Sequence, residues 1–181
     1  MSDSINLDLA RVKLLYVEWD YEKGTDYIGV TCVFYCHDGK GNFVLHKSSK
    51  NCKDEQSRWD VGRGSLEVGE TWEETVKREV KEEYCTEVLG IKFAGVTNVL
   101  RQNGEEKTHW IALIFLVLVD RKKVKIGEST KMDKIGWFAP NNRPNPPHSC
   151  VLKHFEMAEK ILKSSWVVNF IVFKLEYLHE H

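Results

Sequence analysis

Apolar and polar positions change period several times along this chain, and each change predicts an element. Tyr27 to Cys36 is dense in β-branched and aromatic residues, and a second such run, Asn42 to His46, follows Asp38-Gly39. Two runs joined by a turn of that kind predict a β-hairpin. Val88 to Leu100 and Thr108 to Val119 predict two further strands joined across Asn103-Gly104, and the unbroken apolar run Ile111 to Val119 predicts a strand covered on both faces. Between the two pairs, Trp72, Val76, Val80 and Tyr84 recur at helical spacing, and Thr71 with Glu74 has the capping-box arrangement that starts a helix. Asn141 to Pro147 is a proline-rich loop. After it, Ser149 is placed to cap a second helix running to Lys163, with Val151, Leu152, Phe155, Ala158, Ile161 and Leu162 on one face. Strands, a helix, more strands and a closing helix predict an α/β chain with a sheet sandwiched between helices.

The ends read differently. Residues 1–23 form an extension whose apolar patch, Val12 to Val17, fits either an edge strand or an N-terminal helix. Residues 24–163 carry the regular pattern, and residues 164–181 form an apolar extension centred on Trp166 to Leu178. That last segment is too short to span a bilayer and is expected to pack on the domain or on a second subunit, as in a homodimer.

With 181 residues, 42% hydrophobic and 29% charged, the chain is long enough for one sizeable core. A formal charge of −1 gives no electrostatic case for duplex nucleic acid or an anionic membrane as partner, so an anionic substrate must be met locally. The five cysteines contain no Cys-x-x-Cys pair, so neither a disulfide framework nor a zinc site is suggested, and reduced thiols in a cytoplasmic setting are expected. Cys32 and Cys36 lie on one face of a strand but about 13 Å apart, too far to share a metal, which assigns them to the core. No basic start followed by an apolar run marks a signal peptide.

Chemistry enters with the helix after Thr71. Placed at 100° intervals, Glu79 and Glu83 fall at the edge of the apolar stripe and Glu82 lies just beyond, whereas Glu74, Arg78 and Lys81 face away. Acids crowded at an apolar edge repel one another unless a cation joins them. A hard divalent ion such as Mg²⁺ suits such a cluster, since it takes a few carboxylates, keeps some waters and bridges to phosphates.

The stretch from Gly64 to Thr86 resembles the signature of the Nudix (MutT-like) hydrolases, G-x5-E-x7-R-E-U-x-E-E-x-G-U with U apolar, through Gly64, Glu70, Arg78, Glu79, Val80, Glu82 and Glu83. Cys85 stands where the family has glycine and Thr86 where it has an aliphatic residue; both close the helix. The resemblance covers about residues 24 to 163 and implies an α/β/α sandwich with a mixed sheet. It also implies Mg²⁺- or Mn²⁺-dependent hydrolysis of a nucleoside diphosphate derivative, with a nucleoside triphosphate favoured and a nucleotide sugar or ADP-ribose next. By position, Glu79 and Glu83 are implied as metal ligands, Glu82 as ligand or water-activating base, the Gly64 carbonyl as a further ligand, and Glu70 with Arg78 as a supporting pair. The alternative is a non-catalytic nucleotide-binding module of the same fold.

Four further residues have two readings each. Arg63 occupies a place where the family usually has glycine, and either clamps phosphate or is solvated. His109, in Thr108-His109-Trp110-Ile111, is either near substrate, as the resemblance implies, or a structural hydrogen-bonded residue. The segment Glu128 to Phe138 resembles a Glu-Pro-x-Lys-x5-Trp-Phe segment of a group of Nudix triphosphate hydrolases, which makes Glu128 a further catalytic carboxylate, with Asp133 in reserve, or else a solvated loop acid. Trp137, like Trp59, Trp110 and Phe138, either stacks a base or belongs to the core.

Overall fold

The computed structural model describes residues 21–52 and 55–162. The patch at Val12 to Val17 and the apolar segment from Trp166 onward lie outside the described residues.

Strands β1 (Gly29–His37) and β2 (Phe43–Ser48) form the predicted hairpin, with His37 opposite Phe43. The chain then adds β3 (Trp59–Asp60) to β2 and returns as β4 (Gly62–Ser65), antiparallel to β1. Helix α1 (Trp72–Tyr84) follows, then the long antiparallel pair β5 (Val88–Asn103) and β6 (Glu106–Val119). Strand β7 (Met132–Phe138) pairs with β2, and a closing helix, α2, occupies residues 151–162. The sheet runs β3-β2-β1-β6-β5, with β4 on β1 and β7 on β2. Strands β1 and β6 are parallel from Gly29 opposite Trp110 to His37 opposite Leu118, so the sheet is mixed.

The unbroken apolar run of β6 has the expected consequence. Phe115, Val117 and Val119 enter a core under α1 with Cys32, Cys36, Val76, Val80 and Tyr84, whereas Ala112, Ile114 and Leu116 enter a second core under α2 with Tyr35, Phe155 and Ala158. The alternation of side chains along each strand therefore splits one sheet between two hydrophobic layers.

Helix α1 starts as its sequence dictates. Thr71 Oγ1 accepts from the Glu74 N–H at 3.3 Å, and Glu74 Oε2 accepts from the Thr71 N–H at 2.8 Å. It ends at Cys85 in the left-handed conformation, φ 53°, whose N–H donates to the Lys81 carbonyl. Two apolar positions differ from the periodic reading. Trp72 is 37% exposed, stacked on Phe115 at 5.0 Å, and Thr75 takes the buried place on the first turn. On α2, Leu152 is exposed while Val151, Phe155, Ala158 and Leu162 are buried. Ser149 does not cap that helix: its N–H and hydroxyl both donate to Glu55.

Candidate active site

The pairing of β4 with β1 sets the backbone of Gly62 and Gly64 against the acidic face of α1. A Cβ on Gly64 would lie 1.9 Å from the Glu79 carboxyl carbon, and one on Gly62 would lie 2.7 Å from Glu83 Oε2. No side chain fits at either position, so the glycines let a strand lie directly on two carboxylates. The Gly64 carbonyl accepts from Thr31 Oγ1 at 3.0 Å.

Arg78 fixes the approach to this face. Its Nε and Nη2 donate to the two Glu70 oxygens at 2.8 and 2.9 Å, Nη2 also reaches the Ser65 carbonyl at 3.2 Å, and Nη1 donates to Glu79 at 2.6 Å. The guanidinium thus binds the loop before the helix and one of the acids together, and it holds the Glu70 carboxyl down at about 2. Its reach to Glu79 was not legible from helical angles, which place Arg78 a quarter turn away.

Glu83 is 6% exposed, and its Oε2 has no hydrogen-bond partner. Burial pushes its carboxyl well above the usual range, helped by the charges of Glu79 and Glu128, against the pull of the Arg63 N–H. Glu79 is also raised, first by burial and then by Glu82 and Glu128, despite its bond to Arg78. Glu82 does not crowd the apolar edge: its side chain is 54% exposed and leans to 3.6 Å from Arg78 Nη1, four residues earlier on the helix. Among the described residues no three acid, histidine or cysteine side chains stand gathered closely enough to hold a metal ion. The donor chemistry nevertheless fits a hard cation, since two mutually repelling carboxylates, one with an orphaned oxygen, lie beneath a backbone that no side chain shields.

Glu128 is delivered to the same region by the loop before β7. The N–H of Lys125 donates to the Tyr84 carbonyl at 3.0 Å and that of Gly127 to the Glu83 carbonyl at 2.8 Å, and a Cβ on Gly127 would meet the Glu82 carbonyl oxygen at 1.7 Å. Glu128 accepts from Lys131 Nζ at 2.7 Å.

A cavity of about 930 Å³ opens over Gly64, Glu79 and Glu83 and extends past Arg63 to Arg101 and His148. Arg63 is paired with Asp60 at 2.8 Å. His109 and Trp137 are not brought to this cavity. His109 contacts Asn98 Oδ1 through Nε2 at 2.9 Å and lines a neighbouring hollow of about 610 Å³, while Trp137 packs on the core under α1 with Arg121 5.2 Å from its ring centre. Not anticipated from the sequence were Asp60, Arg101, His148 and Cys150, which line the cavity, and Glu55, which stands behind them against Arg101 and His148. The only signals were the polar stretch from Lys47 to Arg58 and the proline-rich loop.

A family model, the NUDIX domain, matches residues 27–155. Among solved structures, a MutT NUDIX hydrolase from Burkholderia pseudomallei superposes with a TM-score of 0.65 at 21% identity, over 72% of this chain and 98% of that one. A MutT protein from Methanosarcina mazei Go1 gives 0.60 at 23% identity, over 74% and 94%. The NUDIX domain of Shewanella oneidensis NrtR, solved as a complex with ADP ribose, gives 0.59 at 15% identity, over 85% and 98%. At these identities the structural likeness is one of fold. No described helix is long and apolar enough to cross a membrane.

Proposed function

The chain belongs to the Nudix family of hydrolases acting on nucleoside diphosphate derivatives, and from that premise we propose that it is a Mg²⁺-dependent pyrophosphohydrolase, with a nucleoside triphosphate as substrate ahead of a nucleotide sugar or ADP-ribose. The observation that carries the reading is the buried, orphaned Oε2 of Glu83 beside Glu79, with the Glu83 carboxyl raised by burial and by the charge of Glu79, and Glu79 itself raised by burial. In a module that only binds nucleotides, such a pair weakens the fold without return.

Members of this family generally use a divalent metal. Glu79, Glu82, Glu83 and the Gly64 carbonyl are the residues that would hold it. When bound, such an ion neutralises the charge that develops on the phosphoryl oxygens as water attacks phosphorus. Arg78 keeps the Glu79 carboxyl and the Ser65 carbonyl in register through Nη1 and Nη2. Glu128 is assigned the proton of the attacking water at its carboxylate, because its charge acts on both Glu79 and Glu83 while Glu82 is turned toward Arg78. Lys131, paired with Glu128, lines the cavity and offers a positive charge to a substrate phosphate.

Incubation with nucleoside triphosphates, nucleotide sugars, ADP-ribose and dinucleoside polyphosphates in Mg²⁺, with products identified, tests the reading. Release of a nucleoside monophosphate that stops in excess EDTA is expected. Binding without turnover across the panel, or turnover undiminished by EDTA, would overturn it.

A further inference from the structure

Helix α1 covers only part of its face of the sheet. Its first residue, Trp72, stacks on Phe115 at 5.0 Å, and the Cys32 thiol donates to the Trp72 carbonyl at 4.0 Å. Beyond that point the face is open along β5. The pairing register tells which side chains lie on it, because residues opposite one another on neighbouring strands share a face. Phe93 lies opposite Phe115, Val96 opposite Leu113, Asn98 opposite Ile111 and Leu100 opposite His109, and Val30 of β1 flanks Ile111 on its other side. Phe93 is 50%, Val96 55% and Leu100 71% exposed, and Ile28, beside β1, is 53% exposed.

A single exposed leucine is ordinary, but a row of large apolar side chains along one strand marks a surface that something covers. Strand β5 is also the last of the sheet, paired among the described residues with β6 alone. An edge of 16 residues beside apolar side chains invites a further layer of chain.

The point where the chain enters decides which layer it is. The Gly24 carbonyl accepts from the His109 N–H at 2.7 Å, and Gly24, Tyr27, Ile28, Leu100 and His109 line the hollow at this end of the face. Residues 1–20 join the described chain at Tyr21, so they start at the rim of the open face. They include Val12, Leu14, Leu15, Val17 and Trp19. From Leu100 to Phe93 the face is about 23 Å long, whereas a segment of that length reaches about 30 Å as a helix and about 66 Å extended. Either form spans it. The apolar segment from Trp166 onward instead follows α2, which packs on the opposite face with Tyr35 and Ala112.

We propose that residues 1–20 fold back over this face and that their apolar side chains complete the core that α1 leaves open. Lys23 and Thr25, which follow the segment, line the large cavity, so a cover seated here reaches the cavity wall. The packing itself is independent of the hydrolytic function.

Photo-crosslinking of the full chain tests it, with p-benzoylphenylalanine at position 100, at position 93, or at position 92, a control that lies opposite Leu116 on the other face of β5. Illumination is expected to join positions 100 and 93 to peptides within residues 1–20 in a product of monomer mass, and position 92 to none of them. Leu15→Asp with Val17→Asp sets two charges against the apolar face and should lower the yield of both links about tenfold or more. A link made by mere tethering would survive that change, so an unchanged yield would overturn the proposal. Links to residues 164–181, a covalently joined pair of chains, or no link above that from position 92 would overturn it as well. Leu100 is the more exposed of the two probe positions, so a folding defect at 93 leaves position 100 to decide.

Discussion

Gly64 and Glu79 are packed so closely that a Cβ on the glycine would stand 1.9 Å from the carboxyl carbon of the acid. One strand residue and one helix residue are thereby fixed to each other, although they are 15 positions apart in the chain. Gly64→Ala should therefore push the Glu79 carboxyl away from its place under β4. A displacement of about 1 Å at a catalytic group commonly lowers rates about a hundredfold, and a loss of that order in kcat is expected. Steady-state kinetics on a variant with unchanged circular dichroism checks this. An alanine variant as active as the wild type would mean that Glu79 works from another position.

Arg78 ties Glu70, the Ser65 carbonyl and Glu79 into one unit. Lysine keeps the charge but has no planar fork to span three partners. Arg78→Lys is expected to lower stability by about 1–3 kcal/mol, the usual range for lost charge-assisted bonds, and to slow turnover as Glu79 loses its orientation. Chemical denaturation measures the first effect and kcat the second. A change in neither would mean that the network contributes neither stability nor orientation.

Cys85 closes α1 at φ 53°, a conformation that favours glycine, and its side chain is exposed. Cys85→Gly removes that backbone strain without opening the core and should stabilise the protein by about 1 kcal/mol. For a domain of this size that is a rise in Tm of about 2–4 °C, with activity unchanged. A lower Tm would show that the cysteine contributes packing that its exposure hides.

His46 is buried with Nδ1 3.0 Å from the Tyr84 hydroxyl, and burial lowers its pKa to about 4. The unfolded chain therefore takes up this proton first as pH falls, so the contribution of neutral His46 is complete above about 6.5 and is lost progressively toward pH 4. His154 behaves in the same direction, lowered to about 4 chiefly by burial. The raised Glu79 and Glu83 act in the opposite sense, so the comparison has to be made between variants. His46→Gln should flatten the fall of Tm between pH 6.5 and 4, removing a linkage on the order of 3 kcal/mol. An unchanged slope would mean that the imidazole already finds water in the folded state.

What the sequence disclosed was what is local. The hairpin, the capping box at Thr71 and the placement of Glu79 and Glu83 near an apolar edge all follow from spacing within one element. Spacing does not say where a long side chain points, which is why Glu82 turned out exposed and Arg78 reached Glu79. Nor does it say where a sheet stops covering a helix, which leaves Trp72 partly in water and Leu152 outside. Illegible altogether was the cluster around His148. Its pairs with Glu55, Arg63 and Arg101 join residues far apart along the chain, as between Ser149 and Glu55, 94 positions apart. Only the folded sheet brings the polar loop after β2 against the start of α2.

If the acids of α1 hold a divalent cation for hydrolysis of a diphosphate linkage, Glu83, the most buried of Glu79, Glu82 and Glu83, is the one whose charge matters most. The most direct measurement is kcat in saturating Mg²⁺ for the wild type, Glu83→Gln and Glu74→Gln, using whichever nucleotide the panel selects. Glutamine at 74 still completes the capping box, so that variant reports on charge at the exposed face alone. A loss on the order of 10² or more is expected for Glu83→Gln and little change for Glu74→Gln. Equal rates in the two variants would contradict it and place the chemistry away from this helix.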